Sequence, residues 1–428
     1  MTPGTTPSRR TFLQSAAATA AASAVLSPAA FAAGNETLRI GLVGCGGRGS
    51  GAAKEALHAD PKVKLVAMCD VFMDRLEDSL AVLTGKRNAD IADKIDVPPE
   101  RRFDGFDGYQ KLLNSGVDVV LLCTPPGFRP MHLKAAIEAG KHVFCEKPVA
   151  VDAPGVRSVI DTAKLAKQKG LSLCSGFCYR YDYAKRETVK RIHGGMIGDV
   201  SAMHVTFLTG PLWFRKDRDR CDSDMEYQMR NWYYYTWLSG DFIVEQHCHN
   251  MDKAAWVFDG EFPVAATGVG GRTQRTDPKF GQIYDHFGVT FEYKNGAKLF
   301  SFCRQMAQAS SDINDHVIGT KGSAQLMRHT ISPAGGTAWS YEGDVKSMYQ
   351  VEHDELFAGI RAGRPINDGE AAAHSTLMAI TAREAAYSGQ RLTWKQMLAS
   401  KQDLAPKQYA WGLHPVMGVP VPGVYKFA

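Results

Sequence analysis

The sequence lacks the features that mark zinc ribbons, disulfide scaffolds and nucleic-acid-binding proteins. None of its nine cysteines forms a CxxC pair, which argues against a zinc ribbon or a thioredoxin-like redox site. Because the cysteines are odd in number and several lie in apolar runs, we expect mostly free, buried thiols. The net charge is only +5, with lysines and arginines scattered among acids, so no nucleic-acid partner is expected.

No internal repeat or dominant disordered tract is evident either. Hydrophobic residues make up 44% and charged residues 22% of the chain, the composition of an ordinary globular protein. A length of 428 residues exceeds what one core usually organises, so we expect two domains with additional segments.

The N-terminal segment has a composition of its own. Residues 8–13 read SRRTFL, an alanine-rich run follows over 15–26, and Ala30-Phe31-Ala32 suits a cleavage site. We predict a twin-arginine signal peptide over residues 1–33, and therefore export by the twin-arginine machinery to the periplasm or another extracytoplasmic compartment. The run is too short and too rich in alanine to span a membrane comfortably, so no membrane contact is expected after cleavage. Because this pathway exports folded proteins, a tightly held cofactor is expected.

Beyond the leader, apolar strand-like runs alternate with helical stretches. The predicted strands cover residues 38–44, 63–70, 117–124, 142–146 and 171–175, and the predicted helices cover 50–59, 73–83 and 131–139. This alternation predicts an α/β domain with a parallel sheet and crossover helices, a Rossmann fold over residues 37–176. The charged, proline-containing stretch 90–106 is interpreted as a loop.

The pattern changes after Phe177. Alternating strands are predicted at 200–209, 264–270, 287–293 and 297–303, followed by helices at 352–362 and 371–388. Asn295-Gly296 predicts a hairpin turn with positive φ at both residues. We therefore predict a second α/β domain with an open, mostly antiparallel sheet over residues 177–395, and an irregular proline-rich tail over 396–428.

A glycine-rich turn carries the clearest functional signal. Residues 44–49 read GCGGRG, directly after a strand and at the start of a helix, and Asp70 ends the next strand. In the GxGxxG pattern, glycines let the backbone approach a pyrophosphate at a helix N-terminus, and the acidic residue binds the ribose. Because Asp70 would repel a 2′-phosphate, we predict NAD rather than NADP. A tight turn without a ligand is the alternative.

Residues 123–126 read CTPP at the carboxyl end of a later strand, where open α/β sheets bind ligands. Thr124 and Pro125 are expected beside the nicotinamide half of the cofactor, although a plain turn would leave the same pattern.

Residues 139–148 read AGKHVFCEKP. With the glycine-rich turn before it and an acid/histidine motif after it, this stretch resembles the Gfo/Idh/MocA oxidoreductases over about residues 38–390. The resemblance implies that Glu146 and Lys147 lie at the nicotinamide and that Lys147 contacts the reacting hydroxyl. Desolvation beside a cationic nicotinamide would lower the pKa of such a lysine. The predicted cofactor-binding residues are Gly44, Gly46, Gly47, Arg48, Gly49, Asp70, Thr124, Pro125, Glu146 and Lys147.

The acid/histidine motif lies at residues 240–252, GDFIVEQHCHNMD. Glu245, His249 and Asp252 are four and three residues apart, so one helix would present all three on one face. By the resemblance His249 transfers the proton and Glu245 takes the position of the family's aspartate, which predicts Lys147, His249 and Glu245 as catalytic residues. The motif departs from the family pattern at two positions. Glu245 replaces the aspartate, and His247 stands where glycine is common.

Glu245, His247 and His249 could instead bind zinc. Residues two apart on a helix point about 200° apart, so we predict no metal site. Buried structural histidines are a further alternative.

Arg180 and Tyr181 follow the last Rossmann strand, where the family places substrate and interdomain contacts, and with Asp252 they are the predicted substrate residues. Trp213 and the aromatic run 231–237 could stack on sugars or form core or subunit contacts.

The leading hypothesis is an NAD(P)-dependent oxidoreductase acting on CH–OH groups of a sugar, polyol or glycoside. An NAD-dependent glycosidase or lyase, which oxidises transiently and eliminates without net redox change, is the alternative. A sugar-binding protein with vestigial catalytic residues is a third possibility. By analogy with the family we also expect a homo-oligomer.

Overall fold

The computed structural model describes residues 36–428, and the predicted signal peptide lies outside the described residues. The first half is built on a six-stranded sheet, sheet A. Its strands are β1 Leu38–Val43, β2 Val63–Cys69, β3 Arg102–Phe103, β4 Val119–Leu122, β5 His142–Cys145 and β6 Leu173–Ser175. All five pairings are parallel, in the order β3-β2-β1-β4-β5-β6. This confirms the predicted Rossmann fold and places a crevice where the strand order reverses, between β1 and β4.

Five helices accompany sheet A: α1 Gly47–Ala59, α2 Met73–Thr84, α3 Gly108–Asn114, α4 Arg129–Glu138 and α5 Ala153–Gln168. Helices α1, α2 and α4 confirm the predictions, whereas α3 and α5 were not predicted. Strand β3 lies inside the stretch interpreted as a loop. It has only two residues, and it is recognisable only through its pairing with β2.

The second half contains helix α6, Tyr183–His193, and a nine-stranded sheet, sheet B. Its strands are β7 Val200–Thr209, β8 Ala265–Gly271, β9 His286–Glu292, β10 Lys298–Gln305, β11 Asp312–Gly319, β12 Gly322–Gln325, β13 Thr330–Pro333, β14 Trp339–Ser340 and β15 Leu392–Thr393. The order is β14-β13-β12-β11-β7-β10-β9-β8-β15. Only β7 and β10 pair in parallel, so the prediction of a mostly antiparallel sheet is confirmed.

The hairpin between β9 and β10 is confirmed, but its turn differs from the prediction. Gly296 has a φ of 89°, whereas Asn295 does not have a positive φ. The amide of Tyr293 donates to the carbonyl of Ala297, and that of Gly296 donates to Tyr293. The loop therefore has three residues, and only its last position requires the left-handed conformation.

The remaining helices are α7 Asp224–Arg230, α8 Thr236–Ser239, α9 Phe242–Glu245, α10 Cys248–Val257, α11 Met348–Arg361, α12 Gly369–Ser388 and α13 Trp394–Ala399. Helix α11 returns to pack on α1, and α12 lies between α5 and β8. The last part of the chain thus contacts both sheets, and the domain bounds at 176/177 and 395/396 stay predictions. Residues 400–428 form neither helix nor strand.

All nine cysteines are free and eight are buried, as predicted. None of the helices within residues 36–428 combines the length and apolar character needed to cross a membrane.

Candidate active site

A cavity of about 650 Å³ opens between the carboxyl edge of sheet A and the segments that cover sheet B. It brings together the predicted cofactor-binding and catalytic residues from both halves of the chain. Those lining it are Gly44, Gly46, Gly47, Arg48, Gly49, Asp70, Thr124, Pro125, Glu146, Lys147, Glu245 and His249.

The glycine-rich turn has the shape that a dinucleotide requires. Gly44 has a φ of 94°, and a Cβ on Gly49 would lie 2.0 Å from the carbonyl oxygen of Gly44. In contrast, a Cβ on Gly47 would have nothing within 4 Å. No side chain caps α1 at Gly46, and its first turn holds no acid. Free amides at a helix N-terminus, open to a cavity, fit a pyrophosphate.

Asp70 lies beside this turn at the end of β2. Its carboxylate accepts hydrogen bonds from the amides of Cys45, at 2.7 Å, and Phe72, at 3.1 Å. Burial nevertheless raises its pKa, and the two hydrogen bonds only partly oppose this effect. The carboxylate is therefore tied to the turn while it faces the cavity, where a ribose would lie.

Thr124 and Pro125 follow β4 on the other side of the crevice. The hydroxyl of Thr124 lies 3.2 Å from Nδ1 of His132. Burial, with a contribution from Arg129, lowers the pKa of His132 to about 3, so this imidazole is neutral.

Arg48 connects the glycine-rich turn to the EKP stretch. Its guanidinium contacts Glu146 and Glu55, each at 2.6 Å, and Glu352 of α11 at 3.6 Å. The oxygens of Glu352 have no hydrogen-bond partner, and burial followed by the charge of Glu146 raises its pKa strongly. Glu55, Glu352 and His353 place possible ligand atoms within 4.8 Å of one another, but Arg48 already supplies the positive charge there.

Lys147 is held by Glu245. Its Nζ donates to the carbonyl of Glu245 at 2.6 Å and to its carboxylate at 3.2 Å. Burial is the largest single influence and disfavours the ammonium, but the acidic groups around it, Glu245 first and then Cys248 and Glu146, together outweigh burial, and the pKa of Lys147 is raised. The lowered pKa expected beside a bound cationic nicotinamide stays a prediction, and Glu245 was not expected as the partner of Lys147. Lys147 is thus a charged donor at neutral pH.

His249 lies in the same cavity with a neutral ring. Burial lowers its pKa well below 6.5, and the charges of Lys147 and Lys253 lower it further. Its ring stands edge-on to Tyr179 at 5.1 Å and to Phe177 at 6.0 Å, and its Nδ1 is buried without a hydrogen-bond partner. Aromatic rings, and not a carboxylate of the motif, contact this imidazole.

The acid/histidine motif is not one continuous helix. Helix α9 ends at Glu245 and α10 begins at Cys248, because the amide of His247 donates to the carbonyl of Phe242, five residues back. Such widened turns are frequent at functional sites. His247 is fully buried, with Nε2 2.8 Å from the hydroxyl of Ser301. It therefore points into sheet B and does not converge with His249, so the geometry does not support the zinc alternative.

The three predicted substrate residues lie outside the cavity lining. Arg180 forms a forked ion pair with Asp252 at 2.9–3.0 Å, and the hydroxyl of Ser375 donates to the same carboxylate. Tyr181 donates to Asp368 at 2.6 Å. These contacts tie the segment after β6 to α10 and α12. The break between α9 and α10 also removes Asp252 from the face expected to carry it.

The aromatic run divides between core and cavity. Three tyrosines and one tryptophan are buried: Tyr233, Tyr234, Tyr235 and Trp237. Trp232 lines the cavity with Trp213, their rings 6.0 Å apart, and the guanidinium of Arg215 lies 4.2 Å from the ring of Trp213.

Sequence reasoning missed the groups that support the catalytic segment. Gln305 of β10 donates to Gln246, in the cavity, at 2.7 Å and to the hydroxyl of Tyr233 at 3.0 Å. Lys253 forms a buried ion pair with Asp315 of β11 and lies 4.4 Å from the ring of Tyr179. These residues are distant along the chain and carry no motif, so only the fold joins them.

Comparisons with known proteins agree with this geometry. Residues 38–177 match the model of an oxidoreductase family with an NAD-binding Rossmann fold, and residues 186–325 match the GFO/IDH/MocA C-terminal domain. The chain belongs to the Gfo/Idh/MocA family. Together the two matched segments cover more than half of the 428 residues and include both cavity walls.

One relative is inositol 2-dehydrogenase 3 of Saccharopolyspora erythraea, 26% identical over 365 residues, which cover 83% of this chain and 94% of the relative. Two solved structures share the fold. A putative myo-inositol dehydrogenase from Sinorhizobium meliloti has a TM-score of 0.59 and 22% identity, covering 83% of this chain and 99% of its own. The aldose-aldose oxidoreductase from Caulobacter crescentus, complexed with glycerol, has a TM-score of 0.63 and 19% identity, covering 84% and 100%. The family and the named relatives identify the chain as an oxidoreductase of the kind that acts on CH–OH groups.

Proposed function

We propose that this protein transfers a hydride between a bound nicotinamide dinucleotide and a secondary hydroxyl of a sugar, polyol or glycoside. The observation that carries the proposal is that Lys147 and His249 line the same cavity as the glycine-rich turn. Groups suited to moving a proton and a cradle suited to a dinucleotide therefore share one space. The inositol dehydrogenases among the relatives support a polyol or sugar as the substrate class.

When bound, the nicotinamide takes or supplies the hydride. The ammonium of Lys147, kept charged by Glu245, would donate a hydrogen bond to the substrate hydroxyl and stabilise negative charge on its oxygen. The neutral ring of His249 would accept the hydroxyl proton during oxidation and return it during reduction. Trp213 and Trp232, which line the cavity, offer apolar faces against which a sugar ring would stack.

Asp70 supports NAD as the cofactor. Its carboxylate faces the position of the adenosine ribose, where it would accept hydrogen bonds from both hydroxyls and repel a 2′-phosphate. Because its oxygens already bond the amides of Cys45 and Phe72, its position does not depend on the cofactor.

Export and assembly complete the proposal. The SRRTFL leader supports transport of the folded, cofactor-loaded protein by the twin-arginine machinery, and replacing Arg9 and Arg10 by lysine should keep it in the cytoplasmic fraction. A homo-oligomer is supported by apolar side chains exposed on the open face of sheet B, including Val269, Phe302 and Ile318. Light scattering after size exclusion gives the mass in solution.

The decisive experiment measures cofactor and turnover on one preparation. Protein purified without added nucleotide should release about one NAD per chain on denaturation, measured by mass spectrometry. A panel of sugars and polyols is then added while the reduced nicotinamide absorbance is followed and the products are identified. An oxidised sugar supports the proposal, whereas release of an aglycone without net redox change supports the lyase alternative. Folded protein that retains no dinucleotide, binds NAD only weakly and turns over nothing would contradict both.

A further inference from the structure

The C-terminal tail, residues 400–428, crosses from α13 to the rim of the cavity. It contains no helix or strand and is held by hydrogen bonds to other segments. The amide of Leu404 donates to Asp152 at 2.9 Å, and the amide of Met225 donates to the carbonyl of Gly412 at 3.2 Å. The side chain of Gln228 donates to the carbonyl of His414 at 2.5 Å. The stretch between 404 and 414 is therefore fixed at both ends.

Two aromatic side chains of this fixed stretch pack on the Rossmann half. The ring of Trp411 lies 5.6 Å from that of Phe72 and 4.8 Å from that of Phe106. The ring of Tyr409 lies 6.1 Å from Phe106 and 5.2 Å from Phe128. Phe72, Phe106 and Phe128 all line the cavity, so the tail contacts the outer side of its wall.

The position of this wall indicates what it would contact. A dinucleotide whose pyrophosphate lies on the glycine-rich turn, and whose ribose lies on Asp70, extends its adenine beyond the end of β2. Phe72 follows Asp70 by two residues, and Phe106 follows β3, which pairs with β2. The two phenylalanines thus stand where the adenine ring would stack.

Phe72 is contacted by residues from other segments of the chain. On the side of the second half, the guanidinium of Arg230 lies 3.6 Å from its ring centre and pairs with Asp74 at 2.7 Å. Phe106 lies in a non-repetitive segment between β3 and α3. Its aromatic neighbours within the described chain are Tyr409 and Trp411 of the tail.

We propose that the C-terminal tail completes the adenine subsite of the dinucleotide site, with Trp411 and Tyr409 as positioning residues that hold Phe72 and Phe106. The inference rests on the proposed dinucleotide-dependent function. It adds that contacts from the tail slow the release of the cofactor. Aromatic pairs of this kind stabilise a structure by more than the burial of their surface alone. A segment without secondary structure also opens more readily than the sheets. Loss of the Trp411 contacts should therefore speed release of the adenine end.

The test uses the full-length chain carrying Trp411→Ala, with Leu413→Ala as the matched control because Leu413 is 91% exposed. Exchange of bound NAD for isotopically labelled NAD, followed by mass spectrometry, should be about tenfold faster in Trp411→Ala and unchanged in the control. Trp411→Phe should restore most of the slow exchange. In nucleotide-free protein, calorimetry should show weaker binding of AMP by the variant but equal binding of nicotinamide mononucleotide.

A purely structural role makes a different prediction. In that case Trp411→Ala would lower the melting temperature and leave NAD exchange and AMP binding unchanged at a temperature where the variant is folded, which would overturn the inference. Equal weakening of AMP and nicotinamide mononucleotide would also contradict it. If the wild-type protein binds neither NAD nor AMP, it is the proposed function that fails, so the two failures are distinguishable.

Discussion

The two walls of the cavity are held together in different ways. On the side of sheet A, backbone groups form the wall, since Gly44 and Gly49 touch main-chain atoms and α1 presents bare amides. On the side of sheet B, side chains form it, since Lys147 reaches across to Glu245 and His249 stands against Tyr179. The first wall depends on shape and the second on chemistry.

This difference predicts two kinds of mutational response. A substitution in the backbone wall should change folding or cofactor affinity, because a Cβ has no room to move aside. A substitution in the side-chain wall should leave the fold intact and change turnover, because the supporting contacts lie beneath the reacting groups.

The largest expected effect is on turnover. Lys147→Ala and His249→Ala should each lower kcat by about 10² to 10⁴, the usual contribution of a positioned acid or base. The double variant should lose little more, because groups acting on one hydroxyl are strongly non-additive. Steady-state kinetics on the best substrate of the panel measures all three.

His247→Asn serves as the control for that series. His247 bonds Ser301 inside sheet B and does not line the cavity, so the variant should keep most of its activity. If it is as damaging as His249→Ala and activity falls with a chelator, the metal alternative replaces the proton transfer proposed here.

Gly49→Ala should destabilise the backbone wall by about 3 kcal/mol or more. The added Cβ would meet the carbonyl oxygen of Gly44 at 2.0 Å, and both atoms belong to main-chain segments that cannot rotate away. Gly47→Ala is the matched variant, since its Cβ enters open space. It should leave the urea midpoint unchanged and weaken NAD binding by crowding the pyrophosphate. Equal stability of the two variants would mean that the turn is not constrained as described.

Buried histidines in both halves of the chain should make stability fall in acid. The pKa values of His132 and His247 are each lowered to about 3, mainly by burial. Below about pH 6.5 these histidines bind protons in the unfolded chain but stay neutral in the folded protein. Each histidine should thus remove about 1.4 kcal/mol per pH unit as pH falls from 6.5 towards 3.

Asp241 acts with the opposite sign, because burial raises its pKa to about 6 and its protonation favours the folded state as pH falls. Urea unfolding of His247→Asn and of the wild type at pH 7 and pH 4.5 gives the change in the free energy of unfolding with pH. That change should be smaller in the variant by the contribution of one histidine. An equal change in both proteins would mean that His247 is not kept neutral in the folded protein.

Asp70→Asn should shift the preference towards NADP by about 1 to 3 kcal/mol, because it removes the negative charge facing a 2′-phosphate. The side-chain oxygen of asparagine can still accept from the amide of Cys45 in the glycine-rich turn, so the turn should persist. The ratio of dissociation constants for NAD and NADP is the measurement, and an unchanged ratio would show that Asp70 does not face the ribose.

Glu245→Gln should produce the smallest change, a shift of about one pH unit. Because the carboxylate of Glu245 raises the pKa of Lys147, its removal should move the alkaline limb of the kcat profile to lower pH. A limb that stays in place would assign it to another group.

Sequence patterns predicted the backbone wall well, because local chain geometry dictates it. A glycine-rich turn after an apolar strand and an acid at the next strand end describe the same edge of any parallel sheet, and Gly44, Gly49 and Asp70 lie there. For the side-chain wall, the sequence predicted which residues line the cavity but not how they contact one another. Lys147, Glu245 and His249 do line the cavity, but the partner of Glu245 proved to be Lys147, and the helix expected to align the motif is broken at residues 246–247.

By itself the sequence determined most strands of sheet A, the strands β7 to β10 of sheet B, the glycine-rich turn and the residue types at the strand ends, since these follow from short-range periodicity and the steric freedom of glycine. The two-residue strand β3 and the strands after β10 were not predicted. Only the tertiary structure decided which charges neutralise each other, which histidine faces the cavity and where the C-terminal tail returns. Those outcomes depend on burial and on contacts between residues far apart in the chain, as between Lys147 and Glu245 or between Phe72 and Trp411. Short-range sequence patterns do not specify contacts between residues that are far apart in the chain.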